Sequence, residues 1–205
     1  MRRRFAPPLT LFATGRLDPA ALDLALGLAL AGPGAARVRG GLGWTTGRCR
    51  VLAVAFAAWA GPRASLWVVE HPGPTATRFG TTAEHVVEHV LARVDGWFVD
   101  GDGLATEAQA RARAAAWLGV APGEVPLLPW AEGVHREGCR LGGAFAPPAR
   151  VRGARALLAD RLGPAERWGL GPGSLAEAVG EDHLVGGVGR EGPGDGPLGR
   201  AERVR

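Results

Sequence analysis

The sequence predicts an α+β domain in which a central buried helix carrying a cysteine packs on a small antiparallel β-sheet, with additional helices at the periphery. Three observations predict it. From Arg50 to Ala60 the run VLAVAFAAWA is apolar on every side and is ended by Gly61-Pro62, as a helix in the middle of a core would be. Ala64 to Glu70 (ASLWVVE) reads as a strand, closed by His71-Pro72-Gly73-Pro74. Finally, Val-rich sequence on either side of Asp95-Gly96 has the form of a β-hairpin, because that dipeptide readily takes the positive φ angles of a type I′ turn.

The remaining elements follow in chain order. Asp18-Pro19 starts a helix, since the Asp side chain caps free amides and Pro fits the first turn; it should run to about Ala31 and stop at Gly32-Pro33-Gly34. A Gly-rich connection then leads to Trp44-Thr-Thr-Gly-Arg-Cys49 and the buried helix. The segment Ala83 to Asp102 fits two periods: Val86, Val87, Val90, Leu91 and Val94 match a helix capped by Thr82, whereas the Asp-Gly signal favours a hairpin from about Val87. The hairpin is the preferred reading. Thr106-Glu-Ala-Gln109 is a capping box opening a helix to about Leu118, Pro122 to Gly133 reads as a Pro-rich loop, and a further helix is expected from about Arg150 to Leu162. Ser174-Leu-Ala-Glu177 is a second capping box. One domain is expected over residues 1–185, its core at about 44–103, followed by a disordered Gly/Pro-rich tail over 186–205.

Composition removes several function classes. Ala, Gly, Arg and Pro fill 110 of 205 positions, while Ile, Asn, Lys and Tyr are absent, the bias of a GC-rich bacterial genome. All 24 basic residues are Arg against 20 acids, and a net charge of +4 spread along the chain lacks the clustered stripe that nucleic-acid binding needs. No membrane association is expected either, since the longest apolar candidate, Ala20 to Ala31, is short and broken by Asp23. The opening Arg2-Arg3-Arg4-Phe5 is a poor export signal with Pro7, Pro8, Arg16 and Asp18 behind it, so the expected location is the cytoplasm.

Scarcity sharpens the search for chemistry, because two Cys (Cys49, Cys139) and two Ser (Ser65, Ser174) make a short list of nucleophiles. Cys49 stands at the expected amino end of the buried helix, where the dipole and free amides favour thiolate over thiol. With a two-residue turn at Asp95-Gly96, Val94 faces Trp97, and counting outward sets His89 opposite Asp102 with Asp100 one diagonal step away on the same face. A thiol, an imidazole to take its proton and a carboxylate to orient the ring are the parts of a nucleophilic site. The bland alternative is that Cys49 is a small core residue and His89 a solvated one.

Gly47-x-Cys49-x-x-x-Ala53-x-Ala55-Phe56-Ala57, the Gly61-Pro-Arg-Ala64 turn into a strand, and His89 followed by Val-Asp-Gly-Trp97 and Asp100 are similar to the Cys-His-Asp core of the transglutaminase-like superfamily, within the wider papain-like group. The resemblance covers about residues 44 to 103. It implies a Cys-bearing helix packed on an antiparallel sheet bearing His and Asp, and acyl chemistry on amides through a thioester. Cys49 would be the nucleophile, His89 the base and Asp100 the orienting carboxylate, with Asp102 the alternative that strand counting offers. Trp44 could lend an indole N–H to an oxyanion, or be a core residue. A peptide or other amide or ester is the expected substrate, with no cofactor.

Two other readings stand beside this one. The chain could be a non-enzymatic interaction protein or a phage-type structural protein of the same fold. Alternatively, on a helix, His85-Val-Val-Glu88-His89 would set two His one turn apart to bind zinc with Glu88 as base, needing a third ligand such as Glu107. Asp100-Gly-Asp102-Gly fails as a calcium loop, since Phe98 and Gln109 fall where carboxylates are required. His135-x-x-x-Cys139 lacks partners, and Ser65 lies outside any nucleophile-elbow pattern.

Overall fold

A computed structural model describes residues 17–40, 42–45, 47–73, 75–76, 82–83, 86–130 and 146–170. His85, His135, Cys139, Ser174 and the expected tail lie outside the described residues.

Helix α1 (Pro19–Ala31) begins as expected: Asp18 Oδ1 accepts the amides of Ala20 and Ala21, both at 3.1 Å. The stop at Gly32 is real, but the following residues are not a bare connection. Pro33 takes the first position of a second helix, α2 (Pro33–Arg39), for which its fixed φ is already suited, and Gly40 closes it in the left-handed region. No single helix among the described residues is long and apolar enough to cross a membrane.

Helix α3 (Cys49–Ala60) occupies the centre, with every residue except Arg50 buried. It packs against β1 (Ala64–Glu70) and β4 (Val87–Val94) of the sheet on one side and against α5 (Pro148–Leu162) on the other. Alanines at 53, 55, 57, 58 and 60 let backbones approach closely, and Phe56 supplies the bulk. Trp59 ties its end down by donating to the Gly163 carbonyl at 2.9 Å.

The sheet has the order β6-β5-β4-β1-β7, and every neighbouring pair is antiparallel. Its strands are β1 (Ala64–Glu70), β4 (Val87–Val94), β5 (Trp97–Asp100), β6 (Gly103–Ala105) and β7 (Leu127–Pro129), while β2 (Thr75–Ala76) and β3 (Thr82–Ala83) form a separate ribbon. The expected hairpin is present: Val94 pairs with Trp97, and Asp95 (φ 49°) and Gly96 (φ 85°) make the left-handed two-residue turn. Arg63 ion-pairs with Asp95 and steadies the turn. The β7 strand arises within the stretch expected to be a Pro-rich loop. It is an edge strand, and Pro129 at its end is tolerated there because no outer neighbour needs its missing N–H.

Both faces of the sheet are covered. On one, Val90, Ala92, Val94 and Val99 join Phe56, Leu22, Leu26 and Leu158 in the main core with α3, α1 and α5 (Pro148–Leu162). On the other, Val69, Leu91 and Phe98 meet Ala110, Ala114 and Ala115 of α4 (Glu107–Leu118). The capping box is formed as read: Thr106 accepts the Gln109 amide while Gln109 accepts the Thr106 amide. This double cover explains why β4 is buried at six of eight positions rather than alternating.

Candidate active site

The site lies where β5 leaves the sheet. The chain turns after Asp100, and Gly103 already pairs back with it in β6. Gly101 fits this turn tightly against the loop that precedes α3: a Cβ there would stand 2.6 Å from Trp44 Cβ and 2.8 Å from Thr45 N. The neighbouring amide of Leu104 donates to Asp23 of α1 at 2.6 Å. The early end of β5 has a consequence for its neighbour. Counting from the Val94–Trp97 pair that closes the hairpin, Val94, Ala92 and Val90 direct their amides toward β5. Beyond Asp100 there is no strand to receive them, and the Val90 amide hydrogen-bonds the Cys49 thiol instead. The thiol therefore sits at the uncovered edge of β4, at the amino end of α3.

His89, the residue before Val90, pairs with Val69 across β1, and the β1–β4 register shifts between Val69 and Glu70. This bulge puts Val87 and Val90, three residues apart, in the same core. His89 meets α4 instead: its ring lies edge-on to Trp117, centroids 6.2 Å apart. Its Nε2 is 3.4 Å from Asp100 Oδ2, and the ring also hydrogen-bonds the Cys49 thiol. With Nε2 engaged by the carboxylate, Nδ1 is the nitrogen left for sulfur.

The other carboxylate oxygen of Asp100 is held as well. Oδ1 accepts the Asp102 amide at 2.8 Å and lies 3.5 Å from Arg113 Nη1 on α4. Thus Asp100 is the carboxylate beside the imidazole. The alternative, Asp102, is corrected: strand counting set it opposite His89, but β5 stops short, so Asp102 lies exposed in the turn and contributes its amide to Asp100. Trp44 is also settled as a core residue, 5 % exposed, with its indole N–H donated to the Leu30 carbonyl at 3.3 Å rather than offered to an oxyanion.

Among the described residues the buried polar or charged side chains are Glu70, His89 and Asp100. Burying such groups is costly unless they satisfy one another, and His89 and Asp100 do. Their electrostatics are coupled. Burial pushes the Cys49 thiol up, but the hydrogen bond and charge of His89, the Val90 amide and the Arg50 charge together hold it below its ordinary 9.0. Burial pulls His89 down, yet the Asp100 hydrogen bond and the adjoining Cys49 outweigh it and raise the imidazole to about 9. Both shifts run toward a thiolate beside an imidazolium, the form in which cysteine is a nucleophile.

The metal alternative loses its premise. His89 stands in the strand Val87–Val94 and not on the helix that the zinc reading required, and Glu107 is engaged by Arg111 at 3.0 Å. No cluster of three metal-binding side chains occurs among the described residues. Ser65 lies in β1 and accepts the Trp67 indole N–H at 3.2 Å. Sequence reasoning missed Arg113, Trp117 and the Val90 amide, because each enters through a long-range contact.

Compared with known proteins, the chain matches no family model, no curated protein and no solved structure.

Proposed function

We propose that this protein is a cysteine-dependent hydrolase or acyltransferase acting on an amide or ester of a peptide or similar substrate, with a site of the transglutaminase-like and papain-like kind. The observation that carries the reading is the buried imidazole of His89, which hydrogen-bonds the Cys49 thiol and lies 3.4 Å from the Asp100 carboxylate. The Cys49 thiolate attacks the substrate carbonyl carbon, and electrons move onto the oxygen. That oxygen develops beside Cys49 at the amino end of α3, where the helix dipole favours negative charge. Collapse of the tetrahedral species breaks the bond to the leaving amine or alcohol, which takes a proton from His89. A thioester remains. Water or an acceptor amine then gives its proton to His89 as it attacks, and departure of sulfur regenerates the thiolate. Asp100 fixes the ring and stabilises its charged form throughout.

The test is alkylation by iodoacetamide at neutral pH, read at Cys49 by peptide mass mapping so that Cys139 does not contribute. Wild type should label faster than a free cysteine, and His89→Ala should label at least about tenfold more slowly, since loss of the imidazole leaves a buried neutral thiol. Slow labelling unaffected by loss of His89 would overturn the enzyme reading in favour of a scaffold protein of this fold.

A further inference from the structure

Helix α4 presents two side chains one turn apart to the site: Arg113 beside Asp100 and Trp117 beside His89. Arg113 is accounted for by the carboxylate it holds. Trp117 is not accounted for by packing. Ala110, Ala114 and Ala115 anchor α4 on the sheet, whereas Trp117 remains 51 % exposed, the one aromatic among the exposed large apolar side chains of the described residues. This half-exposed indole, edge-on to a buried histidine, is the large apolar surface of a helix whose other outward residues are small, polar or charged.

Cys49 and His89 are themselves 5 % and 7 % exposed, so a substrate must reach them past whatever rims the site. On the α4 side that rim is the Trp117 ring. We infer that Trp117 is a specificity-determining residue, a wall on which a substrate lays an aromatic or branched aliphatic group next to the reacting carbonyl. The inference rests on the cysteine-nucleophile reading and names the substrate class for it. An indole face offers a large rigid apolar contact and favours planar groups set edge-on or offset. A purely polar substituent would gain nothing from it.

Two electrophiles of equal chemistry test this in the full-length protein: chloroacetamide, and its N-benzyl derivative, which adds only an aromatic ring. Rates at Cys49 are expressed relative to free cysteine. Wild type should favour the benzyl probe by roughly three- to tenfold, the range of a single aromatic contact. Trp117→Ala should bring that ratio near one, and Trp117→Phe should keep most of the preference. An unchanged ratio in Trp117→Ala, with chloroacetamide still fast, would overturn the subsite and spare the nucleophile reading. If both probes label Cys49 no faster than free cysteine, the nucleophile reading fails and the subsite with it.

Discussion

Asp100 Oδ2 lies 3.4 Å from His89 Nε2 although the two are not cross-strand partners. The pairing of Ala92 with Val99 sets Leu91 opposite Asp100, so the contact to His89 is a reach down the strand at the point where β5 ends. Asp102, nearer by strand counting, holds Asp100 through its amide. Asp100→Ala should therefore slow Cys49 alkylation at neutral pH on the order of tenfold or more, because the imidazolium loses its counter-charge. Asp102→Asn keeps the backbone amide and should stay within about threefold. Equal losses in both variants would show that the turn, not the Asp100 carboxylate, matters.

The coupled shifts predict a pH profile. Cys49 is held below 9.0 and His89 is raised to about 9, so alkylation in wild type should rise with an inflection below that of an ordinary thiol and change again near pH 9 as the imidazolium deprotonates. In His89→Ala burial remains without its main compensation, and the inflection should move upward. Stability follows the same signs. The raised His89 contributes stability that is complete below its ordinary 6.5 and is lost as pH rises through about 9. The lowered Cys49 contributes stability present above 9.0 and lost as pH falls through its folded value. The two trends oppose one another as pH rises, so the wild-type urea midpoint should change less between pH 7 and 9 than a lone raised histidine would require, and a midpoint that falls steeply through pH 9 would contradict the coupled assignment.

Local signals made half of the site legible. Cys49 at a helix start follows from the apolar run that begins at Val51 and the Gly61-Pro62 stop, and His89 on a hairpin strand follows from Asp95-Gly96. The choice between Asp100 and Asp102 was not legible in the strand period, because it depends on where β5 ends. That end is set by Gly101 against Trp44 and Thr45, more than fifty residues earlier. The bulge at Val69/Glu70, β7 within a Pro-rich stretch, and α4 as a cover on the second face are likewise long-range outcomes. In α2 the ambiguity is local: Gly32-Pro33 signals a stop, yet Pro33 also begins a helix well.

Arg113 acts through Asp100 as a positioning residue. It lies 3.5 Å from Oδ1 and also donates to the Leu104 carbonyl at 3.4 Å, so it links α4 to the turn after β5 and leaves Oδ2 for His89. The guanidinium is one-third exposed, so Arg113→Met should cost no more than about 1 kcal/mol of stability. Its effect should appear in the chemistry instead, as a few-fold slower alkylation with a shifted upper inflection, partly rescued in Arg113→Lys. A loss of stability with an unchanged pH profile would make Arg113 merely structural.

Gly101 tests whether the contact between the α3 entry loop and the β5–β6 turn sets the site. A Cβ there would meet Trp44 Cβ at 2.6 Å, Thr45 N at 2.8 Å and Thr45 Cγ2 at 2.9 Å, two of them parts of the chain that cannot swing aside like a side-chain tip. Trp44 is buried and bonded to Leu30, so it cannot yield cheaply either. Gly101→Ala should therefore cost about 1–3 kcal/mol, the range of overpacking in a filled interior, and separate the two segments that carry Cys49 and Asp100. The control is Gly96→Ala at the hairpin tip, where φ is 85° and nothing lies within 4 Å. It should cost a comparable roughly 1–2 kcal/mol through backbone conformation alone. Matched in stability loss and measured where both variants are fully folded, Gly101→Ala should slow Cys49 alkylation severalfold while Gly96→Ala leaves it unchanged. Identical rates would mean that Cys49 and Asp100 are held together by α3 and the sheet alone, with no help from this contact.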